Sequence, residues 1–401
     1  MRHKNAHTLV AARLGLAVVF GTTFLELVGV FMLSPLLLLQ LKAQGHSTAL
    51  AGLFAATGWL GVLGVMPWVA RLSRRWGRRR TLQLAAALPV VAVGGFMATP
   101  SLSVWFALNA LAGMAAGLRW VLAEAAVAEW APPGQRGLWV GAFETMVGAT
   151  FVLGPALLAV VGTDNAAALT VVLVLTGAAA LGSAALPALP SPAEDAQAPL
   201  GLRGLWEALR AHPVVMAAGL VGGFFESGLS SVLPLVGWSM GLPPAQAALL
   251  VSASGLGSAL VMVPMGWLAD RMAAHPQARW GNLGESRQRL MRACAAATLL
   301  TSLSLPLVQW WADWIWVAVW IWGGVGGSLY TLAMVDIGDR ARGLALVNST
   351  AVLVMAYTLG GSLAPSLGGW ALQAGQQTGF TLLLVGAASL GVWALRLKNK
   401  S

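Results

Sequence analysis

Apolar stretches of about 20 residues recur along this sequence from residue 14 to residue 396, with short polar breaks between them. As a helix, each stretch is long enough to cross about 30 Å of hydrocarbon. Backbone polar groups inside a bilayer must be satisfied within the chain, so the sequence predicts an all-α integral membrane protein. We predict about twelve transmembrane helices. They cover residues 14–38, 48–70, 81–99, 103–128, 137–160, 166–186, 213–237, 245–268, 290–308, 314–335, 344–371 and 379–396.

Charge is scarce and unevenly distributed in this chain of 401 residues, which is 58% hydrophobic and only 9% charged. The net charge of +10 would fit a nucleic-acid partner, but 22 of the 24 Lys and Arg residues fall in segments on one predicted side of the membrane. The exceptions are Lys42 in an outer loop and Arg119 inside a helix. This asymmetry follows the positive-inside rule and predicts a bacterial-type inner membrane protein with both termini in the cytoplasm and no nucleic-acid partner.

Several kinds of chemistry are not expected from this sequence. Cys294 is the single cysteine and the five histidines lie in or near loops and ends, so we expect neither a disulfide nor a metal site. There is no Walker-type phosphate loop, which argues against ATP as the energy source. A membrane enzyme would need a nucleophile or cofactor cluster, and a channel would need rings of like groups. Neither pattern is visible, so we expect no enzyme and no cofactor.

The chain divides into two halves of similar pattern. A proline-rich polar break at 187–212 separates residues 1–186 from residues 213–401, so we predict two six-helix bundles joined by a cytoplasmic linker. The first helix and the seventh each carry an acid, an aromatic residue before it and a later proline, about 200 residues apart. Three pairs of segments match in this way, namely Gly21–Pro35 with Gly222–Pro234, Pro67–Arg80 with Pro264–Arg271, and Arg136–Pro155 with Arg342–Gly369.

Twelve helices in two halves, with a basic loop after the second helix and a Gly-Pro pair in the fifth, resemble the major facilitator superfamily. The loop signature of that family, G-x-L-A-D-R-x-G-R-R, is divided here between the two halves. Its first part is present as Gly266, Leu268, Ala269, Asp270 and Arg271, and its second part as Gly77, Arg78 and Arg79. Arg71 stands where we expect the aspartate of the first copy, so the gating loop is predicted to use Arg71, Gly77, Arg78, Arg79, Asp270 and Arg271.

The fifth helix carries part of a signature found in drug and proton antiporters. Gly141, Gly154 and Pro155 match it, but Leu158 and Ala159 replace its final glycine pair. The resemblance implies a monomeric secondary transporter of a small molecule that works by alternating access. Gly154 and Pro155 are expected to bend the helix, although glycines at such positions also serve plain helix packing.

Two glutamates lie near the centres of matching helices. Glu26 is in the first helix and Glu226 in the seventh, each with small or hydroxyl residues on its own helix face. Ionisable groups are costly in hydrocarbon and usually face a cavity, pair with each other or carry function. We therefore predict that Glu26 and Glu226 form a proton-coupling pair. The alternative, a protonated structural glutamate in each helix, stays open.

The fourth helix presents Asn109, Arg119, Trp120 and Glu124, and Glu144 of the fifth helix is predicted at a depth similar to Glu124. An unpaired guanidinium would be costly there, so we predict a buried charge cluster of Arg119 with Glu124, Glu144 or both. Such a cluster is either structural or part of a substrate cavity, and both interpretations stay open. The resemblance implies that the fourth helix lines the cavity.

The chain contains 19 tryptophans. Trp120, Trp316 and Trp320 lie deep in predicted helices and are candidates for lining a pocket for an aromatic or cationic solute, together with Asn109, Arg119 and Glu124. We therefore expect proton-coupled export of a small lipophilic or cationic organic compound, with uptake of a nutrient as the alternative. Eight other tryptophans fall near the predicted membrane interfaces, where we expect them to form an aromatic belt. They are Trp68, Trp76, Trp130, Trp238, Trp267, Trp310, Trp311 and Trp370.

The charge asymmetry generates a topology prediction. Reporter fusions at Ser401 should give a cytoplasmic signal and fusions near Gln44 an external one, because almost no positive residues lie on the predicted outer side. The fluorescence or phosphatase activity of the fused reporter measures this directly. An external C-terminus would contradict the twelve-helix interpretation.

Overall fold

The structure, a computed structural model, describes residues 2–46, 48–162, 165–189, 195, 197–274 and 283–396. Parts of the predicted linker (190–194 and 196), of the basic loop (275–282) and of the C-terminus (397–401) lie outside the described residues. Within the described ranges, the regular elements are all helical. The helices are α1 Arg2–Ala43, α2 Thr48–Trp76, α3 Arg78–Ala98, α4 Leu102–Trp130, α5 Arg136–Val161, α6 Asn165–Gly182, α7 Gly201–Ala211, α8 Pro213–Gly223, α9 Leu233–Ser239, α10 Pro244–Ala274, α11 Leu283–Ser304, α12 Trp314–Arg340 and α13 Gly343–Ala394.

Eleven of the described segments are long and apolar enough to cross a membrane, and a pair bent by 95°, Gly201–Ala211 with Pro213–Gly228, brings the number to twelve. The predicted seventh span is broken, because α8 continues into a π-helical turn, Phe224–Gly228, before α9 begins. The predicted fold class, an all-α membrane protein of twelve spans in two repeats, is confirmed.

The predicted eleventh and twelfth spans share one long helix, α13, which bends sharply between them. The carbonyl oxygen of Ala371 lies 2.5 Å from the position that a Cβ on Gly379 would occupy. In a straight helix, residues eight apart are separated by about 12 Å. The candidate spans Gly343–Gly375 and Gln377–Ala394 therefore lie on either side of this bend.

Contacts group the chain into two compact units that differ from the two sequence halves. Unit 1 comprises Met1–Ala131, Met146–Leu205 and Arg342–Ala351. Unit 2 comprises Pro132–Thr145, Trp206–Ala341 and Val352–Ser401. Each unit thus contains the start of a helix, α13 or α5, that belongs by sequence to the other half. The boundaries of the sequence halves themselves remain a prediction.

The helix pairs of the two units repeat one another. In unit 1, α4 packs against α2, α3 and α1, and in unit 2, α12 packs against α10, α11 and α8. The most extensive pairs, α2 with α4 and α10 with α12, are both made by glycines. A Cβ on Gly113 would overlap the carbonyl oxygen of Gly58, and a Cβ on Gly257 would overlap that of Trp320. In lipid there is no hydrophobic driving force between helices, so close packing of their backbones stabilises these pairs instead.

Most tryptophans of the predicted belt are exposed on the helix surfaces. Trp310 is 81% exposed, and Trp238 and Trp370 are each 70% exposed. Trp130 is the exception, because its ring is buried and lies 2.6 Å from where a Cβ on Gly15 would stand. The prediction for Trp130 was wrong because the missing side chain of Gly15 opens a space on α1 that the sequence pattern of α4 does not reveal.

The contact of α10 with α12 gives a stability prediction. Gly257→Ala and Gly323→Ala should each destabilise the fold by about 1–3 kcal/mol, because the new methyl group overlaps a backbone carbonyl of the facing helix. The melting temperature in detergent measures the effect. Gly255→Ala on the same helix is the matched control, since a Cβ there meets nothing within 4 Å. Equal melting temperatures for the three variants would contradict the contact.

Candidate functional site

Glu226 lies on the π-helical turn Phe224–Gly228, within unit 2. Glycines hold this turn close to two neighbouring helices. A Cβ on Gly223 would overlap the carbonyl oxygen of Tyr357 on α13, and a Cβ on Gly326 of α12 would lie 2.9 Å from the backbone nitrogen of Glu226. Single π-helical turns inside α-helices occur frequently at functional sites. Backbone packing therefore fixes the position from which the Glu226 side chain projects.

The two carboxyl oxygens of Glu226 meet hydroxyl groups. Ser258 of α10 donates a hydrogen bond to Oε1 at 2.5 Å, and the Tyr357 hydroxyl donates to Oε2 at 3.0 Å. The ring of Tyr357 packs edge-on against Tyr330 at 4.8 Å. These are the only two tyrosines in the sequence. Among the described residues, the partners of this carboxyl group are therefore neutral donors rather than a cation.

Gly327 of α12 faces the same carboxyl group. A Cβ at this position would lie 2.8 Å from Glu226 Oε1 and 2.8 Å from the Ser258 hydroxyl, and it would overlap the terminal carbon of Met262. A side chain at this position would therefore have to displace Met262, Ser258 or the carboxyl group of Glu226. As a glycine, Gly327 places no charged group beside the acid.

Glu26, the matching acid in unit 1, has a different partner. Arg119 Nε lies 2.5 Å from Glu26 Oε2, and both side chains are almost fully buried. The guanidinium Nη1 also donates to the hydroxyl groups of Thr22 at 3.3 Å and Thr23 at 3.2 Å. Arg119 thus balances the charge of Glu26, whereas the partners of Glu226 in the described part of the chain are two hydroxyl groups.

The partner of Arg119 corrects the sequence prediction, which named Glu124 and Glu144. The structure instead pairs Arg119 with Glu26 of α1. Glu124 is buried and accepts a hydrogen bond from the Trp120 indole at 2.5 Å, and Glu144 is buried in the part of α5 that belongs to unit 2. The prediction compared positions along α4 and α5 alone, and it did not consider Glu26 of α1 as a partner.

A family model described as Major Facilitator Superfamily matches residues 19–365 of this chain. The chain belongs to the Major Facilitator Superfamily. The uncharacterized MFS-type transporter YfkF of Bacillus subtilis (strain 168) is 22% identical over 348 residues, which are 85% of this chain and 84% of the relative. An uncharacterized MFS-type transporter of Yersinia pestis (strain Pestoides F) is 25% identical over 371 residues, 90% of each chain.

Solved structures of the superfamily share this fold. The human organic anion transporter MFSD10 (TETRAN) gives a TM-score of 0.76 at 16% identity, covering 96% of this chain and 99% of that one. The superfamily transporter FucP in the outward conformation gives a TM-score of 0.73 at 12% identity, covering 95% of this chain and 97% of its own. At these identities, the likeness extends to the fold alone. This chain is accordingly a multi-pass membrane transporter, and the resemblance noted in the sequence is confirmed.

The residues of the loop signature lie at or near helix ends in each unit. Asp270 accepts hydrogen bonds from the backbone nitrogens of Gly137 at 2.8 Å and Leu138 at 2.9 Å. Gly77 takes a positive φ of 81° in the one-residue turn between α2 and α3. Arg271 is exposed and stacks on Trp267. Asp270 is thus an N-terminal cap of α5.

The first copy of the loop contains no acid in positions 67–80. Counted back from Gly77, the signature places its aspartate at Arg74 rather than at the Arg71 named above, and both are arginines. Arg71 stacks on Trp68, Arg78 donates to Glu129 at 2.7 Å, and Arg79 donates to the carbonyl of Ala184 at 3.1 Å. All charged side chains of the first loop are therefore basic.

The remaining predicted residues have packing contacts. The Asn109 side chain on α4 donates to the carbonyl of Phe54 at 2.7 Å and to Thr57 at 3.0 Å, which ties α4 to α2. Trp316 is half-buried, and Trp320 is 38% exposed. These contacts leave the assignment of Asn109, Trp120, Trp316 and Trp320 to a substrate cavity as a prediction.

The Gly-Pro pair of α5 lies in a helix that continues from Arg136 to Val161. A Cβ on Gly154 would lie 2.7 Å from Phe31 Cβ and 2.8 Å from the backbone nitrogen of Met32, so this glycine packs α5 closely against α1. A bend at Gly154 and Pro155 during transport remains a prediction.

Sequence reasoning missed the residues that surround Glu226. Tyr357, Ser258 and Gly327 come from three helices and share no spacing with one another. The rarity of tyrosine in the chain was the one available signal for Tyr357. Ser258 and Gly327 are small residues of a kind that is common in these helices, so nothing in their local sequence distinguishes them.

The ion pair of α1 and α4 gives a test against the pairing predicted from the sequence. Arg119→Met should destabilise the fold by about 3–5 kcal/mol, because it leaves the buried Glu26 without a counter-charge. Adding Glu26→Gln should recover much of the loss, whereas adding Glu124→Gln should not. Folded yield and melting temperature in detergent measure all three variants. Recovery by Glu124→Gln but not by Glu26→Gln would mean that the pair is misassigned.

Proposed function

We propose that this protein is a proton-coupled secondary transporter that exports a small lipophilic or cationic organic solute by alternating access between its two sequence halves. The observation that carries the proposal is the environment of Glu226, whose partners among the described residues are the hydroxyl groups of Ser258 and Tyr357. Uptake of a small nutrient by the same machinery is the alternative. The proposed location is a bacterial inner membrane, with both termini in the cytoplasm and a monomer as the working unit.

Glu226 has the surroundings that a proton carrier needs. A carboxyl group whose partners are hydroxyls exists in either protonation state, because a hydroxyl donates to the charged form and accepts from the neutral one. Glu26 differs, since the adjacent guanidinium cannot lose its proton and stabilises the charged carboxylate. Of the predicted proton-coupling pair, Glu226 is therefore the residue that exchanges the proton, and Glu26 balances Arg119.

The charges within the membrane helices favour a cationic solute. Away from the charged helix ends, four acids lie inside these helices, namely Glu26, Glu124, Glu144 and Glu226, together with the base Arg119. Acids thus outnumber bases at these positions, which favours a cation over an anion as the solute. The Trp120 indole, which donates to Glu124, supplies an aromatic surface beside one of these acids.

Glu226→Gln is the decisive variant. It keeps the size and the hydrogen bonding of the side chain but removes its titration, so substrate binding and exchange should persist while proton movement and uphill accumulation are lost. Purified protein in liposomes with an internal pH dye, screened with organic cations, measures both. A solute that enters as protons leave indicates antiport, and one that enters together with protons indicates uptake.

Glu207→Gln is the control for this experiment, because Glu207 is an exposed acid on α7. It should leave proton movement unchanged. Uphill transport by Glu226→Gln with an unaltered pH dependence would make Glu226 structural and would move the search for the coupling site to Glu26, Glu124 or Glu144.

A further inference from the structure

The same tripeptide, Arg-Gly-Leu, stands at the start of two helices of this protein. It is Arg136–Leu138 at the start of α5 and Arg342–Leu344 at the start of α13, where Arg342 directly precedes the first helical residue. The first backbone N–H groups of a helix have no partner within the helix and favour a negatively charged acceptor. The same requirement therefore arises twice, at corresponding positions of the repeat.

In unit 2, one residue meets this requirement for α5. The two carboxylate oxygens of Asp270 accept the N–H groups of Gly137 and Leu138 at 2.8 Å and 2.9 Å. Gly137 and Gly266 lie so close that a Cβ on either would overlap the carbonyl oxygen of the other. The cap therefore joins the start of α5 to the end of α10 with no room for an intervening side chain.

In unit 1, the same donors of α13 are capped by two different acids. Gly343 donates to Glu129 Oε1 at 2.8 Å, and Leu344 donates to Asp195 Oδ1 at 2.8 Å. The other oxygen of Glu129 is held by Arg78, at 2.7 Å. Since the loop at 67–80 has no acid, the end of α4 and the linker supply the charge that Asp270 alone supplies in unit 2.

The linker makes a second, independent contact with α13. The Asn348 side chain, one turn further along, donates to the carbonyl of Pro199 at 2.9 Å. A Cβ on Gly204 would lie 2.6 Å from that carbonyl oxygen and 2.7 Å from Asn348 Nδ2. The linker is thus fitted to the first two turns of α13 at Asp195, Pro199 and Gly204.

We infer that Asp195 and Glu129 are positioning residues for transport, which hold the start of α13 against the linker and α4 while the basic end is closed. The linker residues that contact α13 then take part in opening and closing the transporter, in addition to connecting the two halves. The inference rests on the alternating access of the proposed function. It concerns the movement of α13 alone, so it is testable without any solute or proton.

A cysteine at Ser349 reports on this movement. Ser349 of α13 is 3% exposed and belongs to unit 1, and Cys294→Ala removes the single native thiol. In this background, Asp195→Asn and Glu129→Gln should each raise the rate at which a maleimide labels Ser349→Cys in proteoliposomes. We expect a rise of roughly two- to five-fold for each acid, the effect of losing one charged helix cap. Asp195→Glu, which keeps the charge, should restore most of the slow rate.

Two controls separate gating from general loosening. Thr176→Cys is an equally buried reporter on α6, and its labelling should not change in either variant. Glu207→Gln, which removes an exposed acid from α7, should leave both reporters slow. Unchanged labelling at Ser349→Cys in the Asp195→Asn and Glu129→Gln variants, or an equal rise at both reporters, would overturn the inference. Proton movement plays no part in this readout, so its outcome is independent of Glu226.

Discussion

Hydrocarbon offers no water to a charge or to an open backbone group, and the rest of this structure follows from that constraint. Helices satisfy the backbone internally, and glycines such as Gly113 and Gly257 let their backbones approach one another directly. The buried guanidinium of Arg119 has an acid and two threonine hydroxyls within reach. The first four N–H groups of a helix have no partner within the helix, and at the starts of α5 and α13 carboxylates accept hydrogen bonds from them.

The repeat preserves geometry while it changes chemistry. Glu26 and Glu226 occupy matching helices, yet one faces Arg119 and the other faces Ser258, Tyr357 and the bare position at Gly327. The starts of α5 and α13 share a tripeptide, and the first N–H groups of both helices donate to carboxylates. In unit 2 the acceptor is Asp270, and in unit 1 the acceptors are Glu129 and Asp195. The repeat thus provides pairs of equivalent positions whose neighbouring residues differ.

The sequence predicted the spans and the fold class because length and hydropathy act locally along one helix. It also singled out Glu26, Glu226 and Arg119, since an ionisable residue in an apolar run stands out by itself, and it found Asp270 through the loop signature. It did not predict the partners, because those depend on how α1, α4, α12 and α13 are rotated about their axes. The break in the seventh span was missed for a similar reason: a π-helical turn is stabilised by glycine contacts with other helices.

The π-helical turn at Phe224–Gly228 changes which side chains share a helix face on its two sides. It accommodates one residue more than an α-helical turn, so the helix faces before and after the turn are out of phase by about 100°. Loss of one residue in this turn would restore a regular helix and rotate the acid away from Ser258 and Tyr357. The length of this short segment, and not only its composition, therefore decides which side chains surround Glu226.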